Sequence, residues 1–196
     1  KLRGSSTSTI TGAVSFDVTS SLNLYDTATL NWSGPTWALD NLLVLDDSAT
    51  FVQQAGILSL GSDGFMKFNS TSSFELSGGE VVLPTDAQLN FYHSAGFTLN
   101  GGTLTLNGGS VSAYNLSVVN FSAGLIRGSG IFRVNNLMNV SGGVISPGVG
   151  DGDTGSIHFN LGEDDPTQGT MNFTGSWEIH LDVASTGDHD LVELDA

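Results

Sequence analysis

Carboxylates are the side chains with most chemistry to offer in this chain. Asp151 and Asp153, followed by Glu163, Asp164 and Asp165, supply hard oxygen donors of the kind that Ca²⁺ takes. Asp188 and Asp190 form a second such group. Neither group has the spacing of a calcium-binding loop or of the Gly-rich nonapeptide repeat. Gly-Asp-Gly-Asp is also ordinary turn composition, so no metal site is assigned. The histidines His93, His158, His180 and His189 would hold Zn²⁺ only if the fold gathered them. His158 and His180 read as outward or edge positions of separate strands, so no zinc site is expected.

Catalysis asks for a compact set of acid, base and substrate-binding groups. Cleavage of an acidic polysaccharide by elimination needs a base and cations beside the uronate. Arg127 and Arg133 fall on successive strands and are the pair to consider for one face. Hydrolysis needs two carboxylates at a set separation. Asp46 and Asp47 are adjacent, and adjacent strand residues face opposite ways. No catalytic or cofactor-binding residue is assigned, and the expectation is a protein that is not an enzyme. Carbohydrate binding or processing is the alternative, for which Tyr25, Tyr92, Tyr114 and Trp177 are the aromatics to inspect. Asn-x-Ser/Thr sequons stand at Asn31, Asn69, Asn115, Asn120, Asn139 and Asn172. Asn31, Asn120 and Asn139 are expected to project outward, where a glycan fits.

Charge removes several classes of partner. The formal net charge is −15, and the basic residues are Lys1, Arg3, Lys67, Arg127 and Arg133. No basic patch for phosphates can be built from these, so nucleic acid and anionic lipid are not expected partners. No apolar run approaches the roughly 18 residues of a membrane span. No leader is read, and Lys1 fits a mature or excised chain. Cysteine is absent, which excludes disulfides and thiolate ligands.

What positions all these residues is a repeat. A small-residue corner recurs at Gly12, Pro35, Gly56, Gly79, Gly102, Gly124 and Gly143, at intervals of 19 to 23 residues. That period marks a solenoid, in which stacked coils bury one continuous core. Counting from the corner, positions +2 and +4 include Val14/Phe16, Trp37/Leu39, Leu58/Leu60, Val81/Leu83 and Leu104/Leu106. Positions −5 and −3 include Leu30/Trp32, Phe51/Gln53, Phe74/Leu76, Phe97/Leu99, Val119/Phe121 and Met138/Val140. Side chains alternate on a strand, so these pairs point inward. The outward positions +1 and +3 show Thr-x-Thr only at Thr103 and Thr105, too little for an ice-binding ladder. They also carry Ile57, Val82, Leu125 and Val144, an aligned apolar set suited to lateral packing. A third, less regular strand is read at Leu22–Leu24, Leu42–Leu45, Phe65–Phe68, Leu89–Phe91, Val111–Val118 and Ile131–Val134.

The expected fold is therefore all-β: a right-handed parallel β-helix of about seven coils over residues 1–148. Residues 149–196 supply terminal coil or cap strands of the same domain, at Ile157–Phe159, Met171–Phe173, Trp177–Leu181 and Leu191–Leu194.

Within residues 123–195, Gly128-Ser-Gly-Ile-Phe-Arg-Val134, Asn139-Val-Ser-Gly-Gly-Val-Ile-Ser-Pro-Gly148, Gly155-Ser-Ile-His-Phe159, Trp177-Glu-Ile-His-Leu181 and Asp190-Leu-Val-Glu-Leu194 follow in that order. This resembles the β-helical passenger and adhesin-like repeats of bacterial surface proteins. The resemblance implies a secreted or surface-attached structural or adhesive module used in adhesion, biofilm or filament formation. The expected partners are further copies of the chain, head to tail through an unpaired coil edge or side by side, or surface glycans and proteins.

Overall fold

The computed structural model describes residues 1–15, 21–149, 153–162, 169–181 and 190–195, which contain strands and turns and no helix. The first turn holds β1 (Thr7–Ile10), β2 (Val14–Ser15) and β3 (Leu22–Leu24). The next three hold β4 (Thr29–Trp32), β5 (Thr36–Leu39), β6 (Leu42–Leu45), β7 (Thr50–Gln53), β8 (Ile57–Leu60), β9 (Phe65–Phe68), β10 (Ser73–Leu76), β11 (Glu80–Pro84) and β12 (Gln88–Phe91). In β13 (Gly96–Ala113) and β14 (Val118–Val134) the extended backbone runs through the corners, so one strand makes a whole turn. Then come β15 (Leu137–Val140), β16 (Val144–Pro147), β17 (Ser156–Leu161), β18 (Thr170–Phe173), β19 (Glu178–Ile179) and β20 (Leu191–Asp195).

All pairings between these strands are parallel, each strand lying on its counterpart one turn away. They form three columns, and the fold is a parallel β-solenoid. Column one stacks β1, β4, β7, β10, β13, β14, β15 and β18. Column two stacks β2, β5, β8, β11, β13, β14, β16 and β19. Column three stacks β3, β6, β9, β12, β13, β14, β17 and β20. The coil count departs slightly from seven. About six complete turns lie between a first and a last turn that are described in part. The strands after Pro147 extend the same columns in register.

The inward positions read from the repeat are the core. Trp37, Leu58, Val81, Leu104, Ile126 and Ile145 are buried and in register in column two. Phe51, Phe74 and Phe97 do the same in column one, their rings stacked 5.1 and 5.4 Å apart between centroids. Phe68 and Phe91 continue the stack from column three, 4.6 Å apart. Offset aromatic stacking adds to the area each ring removes from water. Phe16 lies outside the described residues.

The corner is glycine for a steric reason. Gly102 has φ of +69°, and a β-carbon there would stand 2.7 Å from the carbonyl oxygen of Gly79 in the turn beneath. Left-handed backbone and close approach both exclude a side chain.

A second, unanticipated column of left-handed residues forms the turn between columns three and one. Asp26, Asp47, Ser70, His93 and Asn115 have φ between 55 and 61°. The Asp26 N–H donates to Asp47 Oδ2 at 3.0 Å, and the His93 N–H to Asn115 Oδ1 at 3.1 Å. Asp and Asn tolerate this conformation, and each such side chain satisfies a backbone donor one turn away. The third-strand segment expected over Val111–Val118 is accordingly split. Val111–Ala113 is in column three, residues 114–117 make this turn, and Val118 opens column one.

Candidate functional site

The outward face of column two was expected to present an aligned apolar set. Ile57 is 41% exposed there, but the set is interrupted. Glu80 and Arg127, two turns apart in this column, form an ion pair of 2.9 Å (Arg127 Nη2 to Glu80 Oε1). Thr105 lies between them, donates its hydroxyl to Glu80 Oε1 and accepts from Arg127 Nε at 2.9 Å. Thr105 is only 3% exposed although its side chain points away from the core. The clamp therefore covers its own rung and separates Ile57 and Val82 from Leu125 and Val144. Arg133 does not share this face: it pairs in column three with Ser112 and Asn160.

Among the described residues, Asp46, Asp47 and Asp190 each accept from a backbone N–H. Asp47 and Asp46 sit in the turn after β6 rather than on opposite faces of a strand. Asp46 Oδ1 accepts from the Asp47 N–H and from the Ser70 hydroxyl at 2.8 and 2.7 Å. Asp190 is 5% exposed, and its Oδ1 accepts from the Gly155 N–H at 2.8 Å. Asp153 is exposed, and Asp151, Glu163, Asp164, Asp165, Asp188 and His189 lie outside the described residues.

Among the described histidines, two meet carboxylates. His180 contacts Glu178 at 2.8 Å on exposed β19. His158 on β17 lies between two carboxylates of β20, its Nε2 2.5 Å from Asp195 Oδ2 and its Nδ1 3.5 Å from Glu193 Oε2. Glu193 is directly in register with His158, and Asp195 is the next outward residue of the same strand. The sequence carries a period-two signal for this pair in Glu193-Leu-Asp195, but nothing in it gives the register that sets them beside His158.

The aromatics do not converge on a groove. Tyr92 and Tyr114 stack on each other in successive turns at 4.9 Å, and the Lys67 ammonium sits 5.1 Å from the Tyr92 ring centre. Burial, then the neighbouring Tyr114, raises the Tyr92 phenol above its ordinary value, and a hydrogen bond with Asn90 acts in the opposite direction. Tyr25 is covered by Lys1 and Arg3. Trp177 packs on Phe173 at 4.6 Å in the last turn. A pocket lined by Asp40, Asn41, Gly61, Ser62 and Asp63 has no aromatic wall. Three sequon asparagines form a ladder: Asn139 Nδ2 donates to Asn120 Oδ1 at 2.9 Å and Asn172 Nδ2 to Asn139 Oδ1 at 3.5 Å.

The ends of the stack differ. In the last described turn, Phe173, Ile179 and Leu194 stand above Val140, Ile145 and Phe159 in the core columns, yet are 41, 38 and 54% exposed. Around them lie Glu178, Glu193 and Asp195. The first turn carries Lys1 and Arg3, with Leu2, Ile10, Val14 and Leu22 partly buried against the core. No family model, curated protein or solved structure matches the chain.

Proposed function

We propose that this chain is a non-enzymatic structural or adhesive β-solenoid module of the cell surface or extracellular space, joined to further copies head to tail. The observation that carries the reading is the contrast between the first and last described turns. In the last described turn, core-column side chains Phe173, Ile179 and Leu194 are exposed beside the carboxylates of Glu178, Glu193 and Asp195. The first turn presents partly buried apolar residues beside two of the chain's five basic residues. Apolar burial gives such a junction its affinity, and opposite charge selects the pairing of unlike ends. Inward parity is also kept: β1 points Ser8 and Ile10 at the core, as β18 points Met171 and Phe173. Surface placement rests on the resemblance to passenger and adhesin-like repeats, and the acidic coat suits an edge-rich β protein that must not aggregate laterally.

Carbohydrate binding has less support. A sugar stacks on an open aromatic face, and Tyr92 is occupied by Tyr114 and Lys67.

Sedimentation of the 196-residue chain at low and high salt tests the assembly. The expected result is concentration-dependent oligomers at low salt, weakened by salt and abolished by Leu194→Lys or by Lys1→Glu with Arg3→Glu. Monodisperse monomers at high concentration and low salt would overturn it.

A further inference from the structure

We propose that His158, Glu193 and Asp195 form a binding site for a divalent transition-metal cation, with Zn²⁺ as the reference ion. The three side chains come from adjacent parallel strands, β17 and β20, and each offers one ligand atom. These atoms all lie within 4.8 Å of one another. A cation about 2.0 to 2.2 Å from an imidazole nitrogen and two carboxylate oxygens needs its donors a little over 3 Å apart. Asp195 Oδ2 faces His158 Nε2 and must open slightly, and Glu193 Oε2, now 3.5 Å from Nδ1, must swing toward the same ring nitrogen. The side chains can adjust because they are 31, 47 and 55% exposed.

The donor set points to the class of ion. One imidazole with two carboxylates suits borderline cations, whereas Ca²⁺ asks for six or more oxygens. The two carboxylates carry the charge to balance a dication. Arg133, the cation of the neighbouring register, is separated from Asp195 by the rung that carries Asn160. Three protein ligands leave a coordination position for water or for a group from another molecule. Because the ligands bridge two turns, the bound ion would also hold β20 onto β17.

Isothermal titration of the full chain with Zn²⁺ tests the proposal. The expected result is one ion per chain, with affinity falling about tenfold or more in His158→Ala and in Glu193→Gln with Asp195→Asn. His180→Ala, which removes the other histidine paired with a carboxylate, should bind as the parent does. Co²⁺ should give a visible ligand-field spectrum in the parent that is lost in His158→Ala. Amide exchange along β20 should slow with Zn²⁺ and be unchanged by Ca²⁺. The proposal is overturned by equal Zn²⁺ affinity in parent and His158→Ala, or by no binding at millimolar Zn²⁺.

Discussion

Replacing Phe74 by alanine is the sharpest test of the stacked core. Phe74 is fully buried and lies against three other rings, Phe51, Phe97 and Phe68, at centroid distances of 5.1, 5.4 and 5.7 Å. Truncating a buried phenylalanine to alanine costs about 3 to 5 kcal/mol, depending on how far the surroundings collapse into the hole. Collapse is restricted here, because the rungs above and below are held by backbone pairing at Phe51 and Phe97. Lost stacking adds to the lost burial. We therefore expect a loss of about 4 kcal/mol for Phe74→Ala and about 1 to 2 kcal/mol for Phe74→Leu, which fills most of the space. Urea unfolding gives the loss. Amide exchange should show it centred on β7, β10 and the first part of β13, because each rung contacts only its neighbours. A loss under about 1 kcal/mol for Phe74→Ala, or equal losses for the two variants, would refute the continuous aromatic stack.

Three further outcomes follow from features already described. Gly102→Ala should cost about 2 to 4 kcal/mol in urea unfolding, since it combines a left-handed backbone with a clash. Gly96→Ala, whose β-carbon would meet nothing nearer than 3.9 Å, should stay within about 0.5 kcal/mol. A double-mutant cycle of Arg127→Met with Glu80→Gln should give a coupling of about 1 kcal/mol, discounted for partial exposure, and a value near zero would show that the clamp is not formed in solution. The Tyr92 phenol sits above its ordinary value in the folded protein, so the folded state holds its proton to higher pH than the unfolded chain. Stability from this group is present below the ordinary tyrosine value of about 10 and declines as pH rises through the folded value. Tyr92→Phe should remove that part of the alkaline loss, read as melting temperature against pH alongside phenolate absorbance.

The core was legible in the sequence because alternation is local. Once the corner is placed at Pro35 or Gly79, the faces of Trp37, Leu39, Val81 and Leu83 follow from the pleat alone. The second column of left-handed turns was also written there, as Tyr25-Asp-Thr-Ala28, Asp46-Asp-Ser-Ala49, Tyr92-His-Ser-Ala95 and Tyr114-Asn-Leu-Ser117. In each, the last residue is fully buried. It escaped notice because the residue in the left-handed position varies between Asp, Ser, His and Asn, whereas the first corner is mostly glycine. The Glu80, Thr105 and Arg127 clamp and the meeting of His158 with Glu193 and Asp195 were not legible. Both depend on the register between turns of unequal length and on how long side chains reach across it. The same reach shows why Asp46 and Asp47, adjacent in sequence, are turn acceptors and not a pair of acids.

All the strands run parallel, so the hydrogen bonds joining successive turns lie along the stacking axis. Tension applied along that axis loads the rungs in series, and the array holds only as well as its weakest layer. Among the described pairings, that of Glu178 and Ile179 on Val144 and Ile145 in column two is such a layer. A sideways pull is shared by many rungs at once, so the stack should resist shear across its axis better than tension along it.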